Sequence, residues 1–93
     1  MASFKRLHAI VHGRVQGVFY RAFVREQARK FNLSGWVRNL SDGSVETMAE
    51  GEDSVLKQFL QKLNEGPPAS HVEKIETKWL EANSEFKSFE VRY

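Results

Sequence analysis

Around Gly13 the spacing of apolar residues changes. Before it, Leu7, Ala9 and Val11 alternate with His8, Ile10 and His12, a period of two that puts three apolar side chains on one face of an extended segment. After it, Val24, Ala28 and Phe31 recur at helical spacing, with Arg25, Glu26, Arg29 and Lys30 on the wet side. A strand over Lys5–His12, ending at Gly13, must therefore give way to a helix over about Arg21–Phe31. The change is made within Gly13-Arg14-Val15-Gln16-Gly17-Val18-Phe19-Tyr20. Asn32 through Gly35 ends the helix.

The same two periods order the rest of the chain. Gly35–Leu40 and Ser44–Glu50 have strand character on either side of Ser41-Asp42-Gly43, and an Asp-Gly between such runs predicts a hairpin. Glu52, Asp53 and Ser54 offer acidic and capping groups. Val55, Leu56, Phe59, Leu60 and Leu63 then make a wide helical stripe that Gly66-Pro67-Pro68 stops. His71–Leu80 predicts another strand, and Phe86–Tyr93 a last extended run with Phe89, Val91 and Tyr93 on one face. The order is strand, helix, hairpin, helix, strand, with an additional C-terminal strand. Two amphipathic helices packed on one face of a mostly antiparallel sheet bury both stripes, which predicts an α+β, ferredoxin-like α/β sandwich (βαββαβ) as a single domain over 1–93. Its first and third strands are central, so the glycine loop leaves the middle of the sheet.

Composition narrows the chemistry. Cysteine is absent, which excludes disulfides, a thiolate nucleophile and thiolate-bound metal and fits a reducing, cytoplasmic setting. Fourteen basic against 12 acidic residues leave a net charge of +2, too mild to require a polyanionic partner. The first residues, Met1 to Arg6, lack the long apolar run of a signal peptide or membrane anchor, so no membrane association is expected. His8 and His12, on one strand face, would stand roughly 13 Å apart at about 3.3 Å per residue, too far to share an ion, and no metal site is predicted. Neither His-Glu-x-x-His nor Gly-x-Ser-x-Gly occurs. Glu46, Glu50, Glu52 and Asp53 are expected on solvated faces or at a helix cap.

The glycine loop suits a small anion. Glycines permit positive φ, so successive N–H groups can turn inward, and the helix that follows adds the positive end of its dipole. Arg21 adds a planar fork able to hold a phosphate or carboxylate bidentately. Only three residues separate Gly13 from Gly17, and Val18-Phe19 stands where a nucleotide-binding loop needs lysine and serine or threonine, so a large nucleotide is not indicated. A tight connection whose glycines only permit the turn fits the same pattern. Asn39, late in the second strand and facing away from Trp36 and Arg38, has a neutral amide that could orient a water. A polar residue near a hairpin fits that pattern as well, and Trp36 fits sheet-surface packing.

Taken together, Gly13-Arg14-Val15-Gln16-Gly17-Val18 with Arg21, Gly35-Trp36-Val37-Arg38-Asn39 and Asp42-Gly43-Ser44-Val45-Glu46 resemble the acylphosphatases. The similarity runs on through Glu50-Gly51, Gly66-Pro67-Pro68 and the closing Phe89-Glu90-Val91-Arg92-Tyr93, in order over essentially the whole chain. It implies metal-independent hydrolysis of the carboxyl-phosphate bond of small acyl phosphates, without a cofactor; nothing in the sequence suggests an obligate partner, and a monomer is expected. Carried onto this chain, backbone N–H groups of Val15, Gln16, Gly17, Val18, Phe19 and Tyr20 bind the phosphoryl oxygens, Arg21 grips the same group and Asn39 holds the attacking water. The resemblance departs at Tyr20, where the family often has phenylalanine. The ring is kept, so packing should survive and only a hydrogen bond should differ.

The RNA-recognition fold shares this element order, but it stacks bases on aromatics of its two central strands. Here Lys5–His12 and Ser44–Glu50 contain none, and no nucleic-acid partner is expected. A third reading is a non-catalytic relative, an anion-binding or regulatory module that kept the fold; with Arg21 and Asn39 both present it ranks below the enzyme.

Overall fold

The computed structural model describes residues 3–93. Seven elements follow one another: β1 (Phe4–Arg14), α1 (Tyr20–Lys30), β2 (Ser34–Asn39), β3 (Val45–Glu52), α2 (Asp53–Glu65), β4 (His71–Glu81) and β5 (Phe89–Arg92). The strands form one five-stranded sheet in the order β4-β1-β3-β2-β5. All pairs are antiparallel except β2 with β5, which is parallel. Two helices on this mixed sheet make the ferredoxin-like fold that the element order predicts, with β1 and β3 both interior.

The core follows from the alternation. Leu7, Ala9 and Val11 of β1, Val37 of β2 and Val45, Thr47 and Ala49 of β3 are fully buried on the helix side. Val24 and Ala28 of α1 and Leu56, Phe59 and Leu63 of α2 close over them. Each large apolar side chain taken from water here contributes roughly 1.5–3 kcal/mol. Phe59 meets Phe89 of β5 edge to face, with ring centroids 6.2 Å apart, so the short last strand is tied to α2 as well as to β2.

Strand β1 does not end at Gly13; it continues to Arg14 because the β1–β4 register slips by one residue between His12 and Gly13. The slip reverses which residues of β4 face inward, so Ile75, opposite Val11, and Val72, opposite Gly13, both pack on the core. Gly13 permits it: φ is 129°, and a Cβ there would collide with the His71 carbonyl. Other bounds shift by a few residues. β3 runs from Val45 to Glu52, and α2 begins at Asp53 behind Glu52, whose side chain makes no capping hydrogen bond.

Two carboxylates expected in solvent are not there. Glu50 is 2% exposed, its oxygens taken up by Arg6 and by the backbone N–H groups of Asn83 and Ser84. Glu46 is half-buried on the open sheet face, bonded to His8 Nε2 and Arg38 Nε, each at 2.7 Å. Burial pushes its carboxyl up, but the bonds from His8 and Arg38 outweigh this and hold it below the ordinary glutamate range. His12 pairs separately with Glu76 at 2.7 Å. Among the described residues, no three His, Cys, Asp or Glu side chains gather into a metal-binding group.

Candidate active site

Where β1 meets α1, the chain has no regular partner and turns sharply. Gly17 has φ 73° with nothing near its missing Cβ, so glycine is needed there for conformation and not for space. Phe19 then takes the left-handed region, φ 62° and ψ 25°, and its carbonyl accepts the first helical bond from Phe23 N–H at 3.1 Å. No side chain caps α1 and its first turn carries no acid, so its leading N–H groups are left for an outside acceptor.

Three contacts hold this turn in place. The Gln16 side chain donates from Nε2 to the carbonyls of Leu40 (2.8 Å) and Ser44 (2.9 Å), tying the loop to the β2–β3 hairpin. The hairpin itself closes through Leu40 N–H to the Ser44 carbonyl at 2.9 Å. Tyr20, 1% exposed, donates its hydroxyl to the Leu63 carbonyl of α2 at 2.6 Å. Burial pushes that hydroxyl's pKa up, so it stays a neutral donor.

Beside the loop lies an open cavity of about 330 Å³. Val15, Gln16, Gly17, Phe19, Tyr20 and Arg21 line it from the loop, Asn39 from the end of β2, and Val91 and Tyr93 from the C-terminal segment. Of the predicted site residues only Val18 is not on this wall; its side chain packs against the core. Arg21 is half-buried. Its Nη1 donates to the Arg92 carbonyl at 3.4 Å and its Cζ lies 4.7 Å from the Tyr93 ring centroid. It has no carboxylate partner among the described residues, and the cavity wall includes no acidic residue. Asn39 Oδ1 is buried and has no hydrogen-bond partner among the described residues.

The arrangement is suited to an anion at one place, with the Asn39 amide on the same wall and its Oδ1 unpartnered among the described residues. The helical spacing puts Arg25 on the wet side of α1; one turn after Arg21, it also lies on the cavity wall, a place that the four-residue spacing signals. The side-chain task of Gln16 carries no such signal, because its partners are backbone carbonyls 24 and 28 residues away.

A sequence model of the acylphosphatase family matches residues 7–91. The chain belongs to the acylphosphatase family. It is 44% identical over 88 residues to the acylphosphatase of Salinibacter ruber, covering 95% of this chain and 93% of that one. With the acylphosphatase of Rubrobacter xylanophilus it shares 46% identity over 88 residues, or 95% of this chain and 80% of that one. The crystal structure of acylphosphatase from Bacillus subtilis superposes with a TM-score of 0.93 at 38% identity, covering 96% of this chain and 99% of that one. As a member of this family the chain is an enzyme, an acylphosphatase. No described helix is long and apolar enough to cross a membrane.

Proposed function

We propose that the chain, acting as one domain over 1–93, hydrolyses the carboxyl-phosphate bond of small acyl phosphates to a carboxylate and inorganic phosphate, without a metal. The phosphoryl group sits against the backbone N–H groups of Val15, Gln16, Gly17, Val18, Phe19 and Tyr20, and Arg21 grips its oxygens. Supporting this, α1 begins without a side-chain cap or an acid in its first turn, and among the described residues Arg21 has no carboxylate to compete with a substrate. The observation that carries the proposal is Asn39. Its side chain lines the same cavity, and its Oδ1 lacks a hydrogen-bond partner among the described residues; turned toward the cavity, that oxygen would accept one O–H of a water and so aim the water's lone pair at phosphorus.

As the water oxygen bonds to phosphorus, the bond from phosphorus to the acyl oxygen breaks and the carboxylate leaves with that electron pair. The transition state spreads charge over the equatorial oxygens, where preorganised N–H groups and a guanidinium stabilise it. The leaving group is a carboxylate and needs no acid. A non-bridging phosphate oxygen of the substrate accepts the water's proton, since Asn39 is not titratable. The test is hydrolysis of benzoyl phosphate in excess chelator. Undiminished turnover is expected; loss of turnover that an added divalent ion restores would overturn the metal-free mechanism.

We also propose a monomeric, cytoplasmic protein without a nucleic-acid partner. Supporting the last point, Trp36 on the open sheet face is 8% exposed, with the Cζ atoms of Arg38 and Arg92 at 5.2 and 4.9 Å from its ring, so this ring is not a bare platform for a base. A light-scattering mass well above the 10.7 kDa of one chain would count against the monomer.

A further inference from the structure

Phe19 sits where the backbone disfavours it. Its φ of 62° lies in the left-handed region, where glycine or asparagine is the ordinary occupant and a bulky ring an outlier. Its side chain is 85% exposed, so packing does not account for the choice. A single exposed ring needs no explanation. This one combines exposure, an unfavourable backbone and a place on the cavity wall next to Arg21. Tyr93, fully exposed, lines the same cavity with its ring centroid 4.7 Å from Arg21 Cζ, and Val91 adds apolar surface. The wall thus joins a cationic cradle to a group of apolar side chains.

We infer that Phe19 is a specificity-determining residue that receives the acyl group of the substrate, with Tyr93 as a second apolar contact, so that the chain prefers acyl phosphates bearing an aromatic or bulky hydrocarbon group. This rests on the hydrolysis proposed above. An acyl phosphate joins a small anion to an organic group. Once the phosphoryl end is fixed at the loop and Arg21, the organic end must lie along the remaining wall, where two rings stand. There an aromatic acyl group gains offset or edge-on ring contacts that a methyl group cannot make, a difference of roughly two- to tenfold in binding. A glycine at position 19 would suit the turn better and lose this contact.

The test compares kcat/KM for benzoyl phosphate and acetyl phosphate in the unmodified chain, Phe19→Gly and Phe19→Trp. The ratio of the two cancels any disturbance of the loop that both substrates feel. It should fall about fivefold in Phe19→Gly, mainly through a higher KM for benzoyl phosphate, and be kept in Phe19→Trp. Glycine fits the left-handed backbone, so Phe19→Gly should fold. A ratio in Phe19→Gly within about a factor of two of the unmodified value, with both substrates still hydrolysed, would overturn the inference and leave the hydrolase intact. An equal fall in Phe19→Trp would also overturn it, since a ring would then not be what matters. If the unmodified chain hydrolyses neither substrate, the proposed function and this inference fall together.

Discussion

Arg6 and Arg21 carry the same guanidinium into opposite surroundings. Arg6 bonds Glu50 at 2.9 Å, Asn83, and Glu85 at 2.6 Å, and the Phe86 ring centroid lies 4.7 Å from its Cζ. Glu50 accepts further bonds from the N–H groups of Asn83 (2.9 Å) and Ser84 (3.1 Å), so both of its oxygens are used. Around Arg21 the pairing is missing. Its bond to the Arg92 carbonyl, 3.4 Å long, lies beyond the usual range, and the nearby Asn39 Oδ1 has no partner among the described residues. A saturated polar cluster holds structure, whereas an unsaturated one keeps its interaction energy for a ligand. The first also serves the second: the Arg6–Glu50 cluster pins the connection from β4 to β5, and β5 leads directly to the Arg92 carbonyl and Tyr93 beside Arg21.

If this contrast is right, the two arginine sites fail differently when cut. Arg21→Ala should lower turnover about 10³-fold or more, since the fixed charge on the phosphoryl oxygens is gone, while urea unfolding shifts by less than about 1 kcal/mol. Arg21→Lys should recover little, because an ammonium cannot reproduce the bidentate fork. Glu50→Ala should do the reverse. It leaves Arg6 short of its buried partner and two backbone N–H groups unpaired, for a loss of about 2–3 kcal/mol and a fall in Tm of roughly 10–20 °C. The contrast would break if Arg21→Ala destabilised the fold as much as Glu50→Ala does. The smallest expected effect is at Tyr20, whose hydroxyl already has its partner in the Leu63 carbonyl. Tyr20→Phe removes the 2.6 Å bond to the Leu63 carbonyl and should lower stability by about 1 kcal/mol, roughly 4–8 °C in Tm. An unchanged Tm there would show that this bond does not help hold α1 to α2.

Much of the fold is legible from local pattern, because Leu7, Ala9 and Val11, Val24 and Ala28, and the stop at Gly66-Pro67-Pro68 each report on their own neighbourhood. The features that local pattern does not show depend on distant partners. Nothing near Gly13 shows that β1 runs past it; the register slip exists only once β4 pairs alongside. Alternation places Glu50 on the open face but cannot foresee that Arg6, 44 residues earlier, and the backbone 33 and 34 residues later will enclose it. At the site, the loop, Arg21 and Asn39 stand out as residues. The cavity's other wall, with Val91 and Tyr93, needed the fold to bring it there.

The most direct test is of Asn39→Ala, with turnover of an acyl phosphate and binding of inorganic phosphate measured on the same folded protein. If Arg21 and the loop hold the phosphoryl group and Asn39 only places the water, kcat should fall about 10²-fold while the Kd for phosphate stays within about threefold. Equal losses in both would make Asn39 part of the phosphate cradle and contradict the division of labour at this site.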